Sequence, residues 1–114
     1  MTGGEHHPFS YQIEPGQAGT TIVRLIGELD MAVASTLEGV LHELQHAGVE
    51  EIVVDLRGLS FLDSMGLSAL LHAHAAGQDR HQKVSFIRGG RSVQRVFAVT
   101  EVDRRLEWVD PDQP

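Results

Sequence analysis

The chain has 114 residues, with Lys+Arg 9 against Asp+Glu 16 and a formal net charge of −7. That is enough for one compact domain, and 41% hydrophobic with 22% charged residues is the balance of a globular protein. The negative surface disfavours nucleic acid and anionic membranes as partners, and Cys 0 excludes disulfides, thiolate metal sites and cysteine nucleophiles.

Residues 1–8 are polar and Pro-containing, as are residues 110–114, and both read as flexible ends. The N-terminal stretch lacks the basic and then apolar run of a secretory signal. No apolar run approaches the ~20 residues of a membrane helix, so a cytoplasmic location is expected. Residues 9–14 alternate and are followed by the turn pair Pro15-Gly16; residues 20–26 are rich in β-branched side chains. These two segments should form an opening hairpin. Residues 27–30 then lead into a helix in which Val33, Leu37, Val40, Leu41 and Leu44 share one face, with Gly48 placed for a left-handed C-cap.

Ile52, Val53 and Val54 mark a central strand over residues 51–56, and residues 57–63 are expected to be a connection. A second helix carries Leu67, Leu70 and Leu71 and ends near Gly77. Residues 84–87 read as a strand and Gly89-Gly90 as a turn. A third helix starts about Ser92, its expected N-cap, with Val93, Val96 and Phe97 on one side, and residues 106–109 are a candidate edge strand. The fold class that follows is a two-layer α/β single domain over residues 9–109, with a mixed sheet of about four to five strands packed by helices.

The most informative stretch is Val54-Asp55-Leu56-Arg57-Gly58-Leu59-Ser60-Phe61-Leu62-Asp63-Ser64-Met65-Gly66-Leu67. A buried strand ends and Asp63-Ser64 stands at the mouth of a helix. Serine there can cap the helix, its oxygen accepting a first-turn N–H. The same turn concentrates free N–H groups and the positive end of the helix dipole, which would stabilise a phosphate on Ser64. Gly66 is expected to keep the turn narrow enough for a partner's backbone to approach.

His42-Glu43-Leu44-Gln45-His46 matches the H-E-x-x-H pattern of zinc peptidases. At about 100° per residue, however, the apolar face centres near Leu44 and both histidines fall on the solvent side. No metal site is therefore expected. His72 and His74, two apart, do not share a helix face, and His6-His7 lie in the flexible end. Gly89-Gly90-Arg91-Ser92 lacks the lysine and spacing of a P-loop. No nucleophilic triad or cofactor signature is present, so catalytic residues and cofactors are both expected to be none.

The segment ending in Phe61-Leu62-Asp63-Ser64-Met65-Gly66-Leu67 resembles the signature of the STAS family, and Gly27-Glu28-Leu29-Asp30 with Ala32 resembles an earlier landmark of that family. The resemblance runs from about Phe9 to Val109. It implies a bacterial anti-sigma factor antagonist that regulates transcription by partner switching. Such a protein binds an anti-sigma factor with serine kinase activity, is released when its motif serine is phosphorylated, and is reset by a protein phosphatase. Carried over, Ser64 is the phosphoacceptor, and Asp30, Asp63, Met65 and Gly66 are partner-binding residues beside it. Met65 departs from the small polar residue usual there, and the charged residues 101–105 are also unusual. The alternative within the resemblance is a STAS scaffold or accessory subunit of a stress-signalling or lipid-transport complex.

Overall fold

The computed structural model describes residues 7–17 and 19–112. The elements in chain order are β1 (Ser10–Pro15), β2 (Thr20–Leu29), α1 (Ala34–His46), β3 (Glu51–Leu62), α2 (Ser64–Asp79), β4 (Lys83–Ile87) and α3 (Arg91–Val99), followed by a short 3-10 turn (Val102–Arg105). The sheet runs β1-β2-β3-β4. β1 and β2 form the antiparallel hairpin, whereas β2–β3 and β3–β4 are parallel. The helices supply the crossovers that parallel neighbours require. The result is a mixed sheet packed by helices, the expected two-layer α/β architecture.

The core lies between one sheet face and the helices. Val23, Leu25 and Leu29 of β2, Ile52, Val54 and Leu56 of β3, and Val84 and Phe86 of β4 meet Leu37 and Leu41 of α1, Leu67 and Leu70 of α2, and Val93 and Phe97 of α3. The opposite face carries only a small apolar group, Ile22, Val53 and Ile87, with Val109 against it. Beside it sits the buried carboxylate of Asp55. It accepts from the Arg57 backbone N–H at 3.0 Å and from the Arg57 guanidinium at 3.0 and 2.8 Å. Burial alone would raise the pKa of Asp55; the Arg57 hydrogen bonds, then the charges of Arg57 and Arg24, more than offset it and hold the carboxyl below its ordinary value.

Several boundaries differ from the sequence expectations. β2 continues to Leu29 and β3 to Leu62, so residues 57–63 are strand almost to their end rather than a connection. The β2–β3 register slips between Arg24 and Ile26 and again between Gly27 and Glu28. Each slip inserts one extra β3 residue, a β-bulge. Buried positions on β3 therefore run Ile52, Val54, Leu56 and then Leu59 and Leu62, which hides the alternation.

In α1 the buried stripe is Ala34, Leu37, Leu41 and Gln45. Leu44 packs only partly against the core. Gly48 takes a φ of 83° just past the Ala47 C-cap, the left-handed position glycine favours. α2 runs past Gly77 to Asp79. The N-cap of α3 is Gly90, not Ser92. The last expected strand is a single bridge, Trp108 to Phe86.

The flexible end expected for residues 1–8 lies outside the described residues as far as residue 6, and the one at 110–114 does so from 113. His7 accepts a hydrogen bond from Glu28 N–H at 3.0 Å through its carbonyl. Among the described residues no helix is long and apolar enough to cross a membrane.

Candidate functional site

β2 and β3 end side by side, Leu29 opposite Leu62, and the chain leaves both at one corner of the sheet. After Leu29 the chain turns through Asp30, whose Oδ1 accepts the Ala32 N–H at 3.0 Å and whose carbonyl accepts the Val33 and Ala34 N–H groups at 3.1 and 3.0 Å. This aspartate shapes the entry to α1, as short polar side chains do in turns. After Leu62 the Asp63 N–H donates to Leu29 O at 3.2 Å, and α2 begins at once.

The cap of α2 is Asp63, not Ser64. Asp63 is extended (φ −105°, ψ −178°), and its Oδ1 accepts the Gly66 N–H at 2.9 Å, the third-residue bond of a helix N-cap. Its Oδ2 accepts the Met31 N–H from the neighbouring loop at 3.0 Å. One carboxylate thus ties the first turn of α2 to the loop that leaves β2. Both candidate acidic residues hold backbone here rather than standing free.

Ser64, displaced from the cap, is the first residue of α2 and exposed, its hydroxyl without a partner among the described residues. The N–H groups of Ser64 and Met65 lie in the first turn, which has no intrahelical acceptors. Gly66, expected to keep the turn narrow, is buried at the start of α2. A Cβ there would stand 2.6 Å from Leu29 O and 2.8 and 2.9 Å from the Leu29 and Leu62 side chains, so the glycine lets α2 start directly on the strand ends.

Met65 is 50% exposed, and two further apolar side chains stand out on the same corner, Met31 at 72% and Phe61 at 48%. Phe61 and Met31 escaped the sequence reading as site residues. Their significance is exposure at the end of a strand, and the second register slip turned Phe61 outward.

The other sequence candidates lie elsewhere. His42 and His46 are exposed on α1, their rings 4.2 Å apart, and the Arg80 guanidinium lies 2.7 Å from His46 Nε2. His72 pairs with Glu38 at 2.9 Å, and His74 is half-buried on the same helix. No group of three or more His, Cys, Asp or Glu among the described residues could hold a metal ion. His6 lies outside the described residues. Gly89 N–H donates to Gln94 Oε1 at 2.8 Å, which engages the N–H nearest to a phosphate-loop role.

The family model described as "Mlab, STAS domain" matches residues 14–109. An anti-sigma-B factor antagonist of Staphylococcus aureus is 28% identical over 78 residues, 68% of this chain and 72% of that protein. Among solved structures, an anti-sigma factor antagonist from Mycobacterium paratuberculosis is similar with a TM-score of 0.80 at 24% identity, over 91% of this chain and 86% of that one. The Bacillus cell fate determinant SpoIIAA in its phosphorylated form is similar with a TM-score of 0.70 at 19% identity, over 90% of this chain and 94% of that one.

Proposed function

The chain belongs to the STAS family, and from that membership we propose that it is an anti-sigma factor antagonist switched at Ser64. In the unmodified state it binds an anti-sigma factor with serine kinase activity in the cytoplasm and so frees a sigma factor. The kinase transfers the γ-phosphoryl group of ATP to Ser64 Oγ, with ADP leaving and the hydroxyl proton released; the partners then separate until a phosphatase hydrolyses the ester.

The observation that carries this reading is the division of labour at the head of α2. Asp63 takes the cap, which leaves the Ser64 hydroxyl exposed and free to be modified. Met31, Phe61 and Met65 are exposed apolar side chains close in sequence to the two strand ends, residue types that supply the core of an interface. A phosphoryl group adds about −1.5 to −2 charge beside the Asp63 carboxylate. The fold tolerates it, because the group projects into solvent at the positive end of a helix. A docked partner meets the difference: it must desolvate a dianion, and a carboxylate of its own within ~4 Å is repelled by about 1–4 kcal/mol. The middle of that range is tenfold or more in affinity.

The test is titration calorimetry of wild type, Ser64→Ala and Ser64→Asp against the anti-sigma factor, with mass spectrometry after incubation with that kinase and ATP. Ser64→Ala should bind and stay bound, and Ser64→Asp should bind at least about tenfold more weakly while still folded. Phosphate on another residue, or Ser64→Asp binding like wild type, would replace the switch with the scaffold reading.

A further inference from the structure

The two edges of the sheet are finished differently. The β4 edge is covered by the chain itself: Phe86 N–H donates to Glu107 O and Val109 N–H to Phe86 O, both at 2.9 Å. β1 is the other edge, and among the described residues nothing pairs with its outer side.

The ladder shows which backbone groups face out. Gly16 N–H donates to Thr20 O, and Glu51 N–H donates to Gly19 O. Even-numbered residues at this end of β2 therefore face β1, and odd-numbered ones face β3. Gln12 lies opposite Arg24 and Glu14 opposite Ile22, so even positions of β1 bond to β2 and the N–H and C=O groups of Tyr11 and Ile13 point to the free edge. At the next outward position, Pro15 has no N–H to leave unpaired.

The side chains of Tyr11 and Ile13 share one face as well. Their register partners Leu25 and Val23 lie in the core beneath the helices, yet Tyr11 and Ile13 are 40% and 47% exposed. The strand's charged side chain, Glu14, is paired with Arg24 at 2.8 Å. The lysines or inward charges that usually guard an edge are missing.

We propose that β1 pairs antiparallel with β1 of a second copy of this chain, about a two-fold axis at Gln12, joining two sheets into one. This register sets Tyr11 opposite Ile13 of the second copy, and the symmetry repeats the pair. Aromatic and β-branched residues make favourable cross-strand neighbours, and the same residues exchange their outward N–H and C=O groups. Gln12 meets Gln12 of the second copy on the open face, and Ser10 faces Glu14 of the second copy. A second copy is the fitting occupant because this edge is self-complementary, the requirement of a two-fold interface. Two short strands bury less than the ~1,200 Å² of a standard interface, so the dimer is weak and concentration-dependent. Two molecules of charge −7 repel, so added salt should tighten it.

Sedimentation equilibrium of the full chain from micromolar to millimolar concentration reads the association directly. Wild type should shift from monomer to dimer, further at high salt, and Ile13→Lys should weaken the dimer by about tenfold or more. Because the chain has Cys 0, Gln12→Cys can cross-link only to its own copy. The paired Cα atoms would lie about 4.5 Å apart, within disulfide range. Under mild oxidation Gln12→Cys should become a covalent dimer well before Val99→Cys, placed on α3 at a residue 69% exposed. The cross-link decides the case even if Ile13→Lys fails to fold. A wild type that stays monomeric throughout, or Val99→Cys that cross-links as readily as Gln12→Cys, would overturn the proposal.

Discussion

Two regions of the molecule concentrate chemically capable side chains, and they are built in opposite ways. At the corner where β2 and β3 end, Asp30 and Asp63 spend their carboxylates on backbone N–H groups. In the groove between α1 and α2, lined by Glu38, His42, Gln45 and His72 among others, the buried Gln45 amide donates to Ala73 O at 3.0 Å, but the histidines are held only by exposed side chains: His72 by Glu38 and His46 by Arg80. Backbone anchoring fixes where a neighbouring group stands; contacts between long exposed side chains are screened and pay rotamer entropy. The corner can therefore present Ser64 in one orientation. Among the described residues the groove, despite its peptidase-like sequence, gives its histidines no comparable backbone anchor.

The largest effect expected from that contrast separates two glycines. Gly66→Ala at the corner would force a methyl to 2.6 Å from Leu29 O, and a backbone atom cannot swing aside. We expect a loss of about 3 kcal/mol in urea unfolding. Gly39→Ala on α1 meets nothing within 4 Å and sits inside a helix, so it should gain about 0.5–1 kcal/mol. Equal effects from the two would show that the corner yields as easily as an open helix surface. Asp63→Ala comes next, removing a cap and the link to Met31 together, with an expected loss of about 1–2 kcal/mol. Its amide hydrogen exchange should rise at Gly66 and Met31 before the core of β3 does.

The sequence pointed to the corner and away from the groove, but it made the corner legible only in part, and the reason is physical. The hairpin and the β4 strand were readable because hydrophobic periodicity is local, and so were Leu37 and Leu41 of the α1 stripe, though its buried Ala34 and Gln45 were not. β3 beyond Leu56 was not, because two bulges shift the buried positions from Leu56 to Leu59 and then Leu62, and Gly58 reads as a breaker. Asp63-Ser64 was recognisable as a helix start, but both residues are good caps. The choice depends on the Asp63 N–H reaching Leu29 O, a contact across 34 positions of chain that no local pattern reports. Met31 and Phe61 could not be singled out from spacing at all, since the fold alone leaves them exposed.

The smallest expected effect is a pH dependence confined to the groove. Slight desolvation, then the Arg80 guanidinium and the His42 ring, lower the pKa of His46 below its ordinary value. In the unfolded chain those neighbours are gone, so the unfolded state binds the proton more readily. The sign follows: the contribution of His46 to stability is present above about pH 6.5 and is lost as pH falls through its lower folded value. Wild type should therefore gain stability between pH 5 and pH 7 slightly faster than His46→Gln, and high salt should shrink the difference because the pair is exposed. Asp55, also lowered, acts in a separate window: its contribution is present above the ordinary carboxylate value of about 3.9 and is lost only at more acidic pH. Thermal melts of both proteins in parallel across these windows resolve the two. If His46→Gln also changed the rate at which Ser64 is phosphorylated, the groove would be coupled to the corner, and the separation between a backbone-built site and a side-chain-built surface would fail.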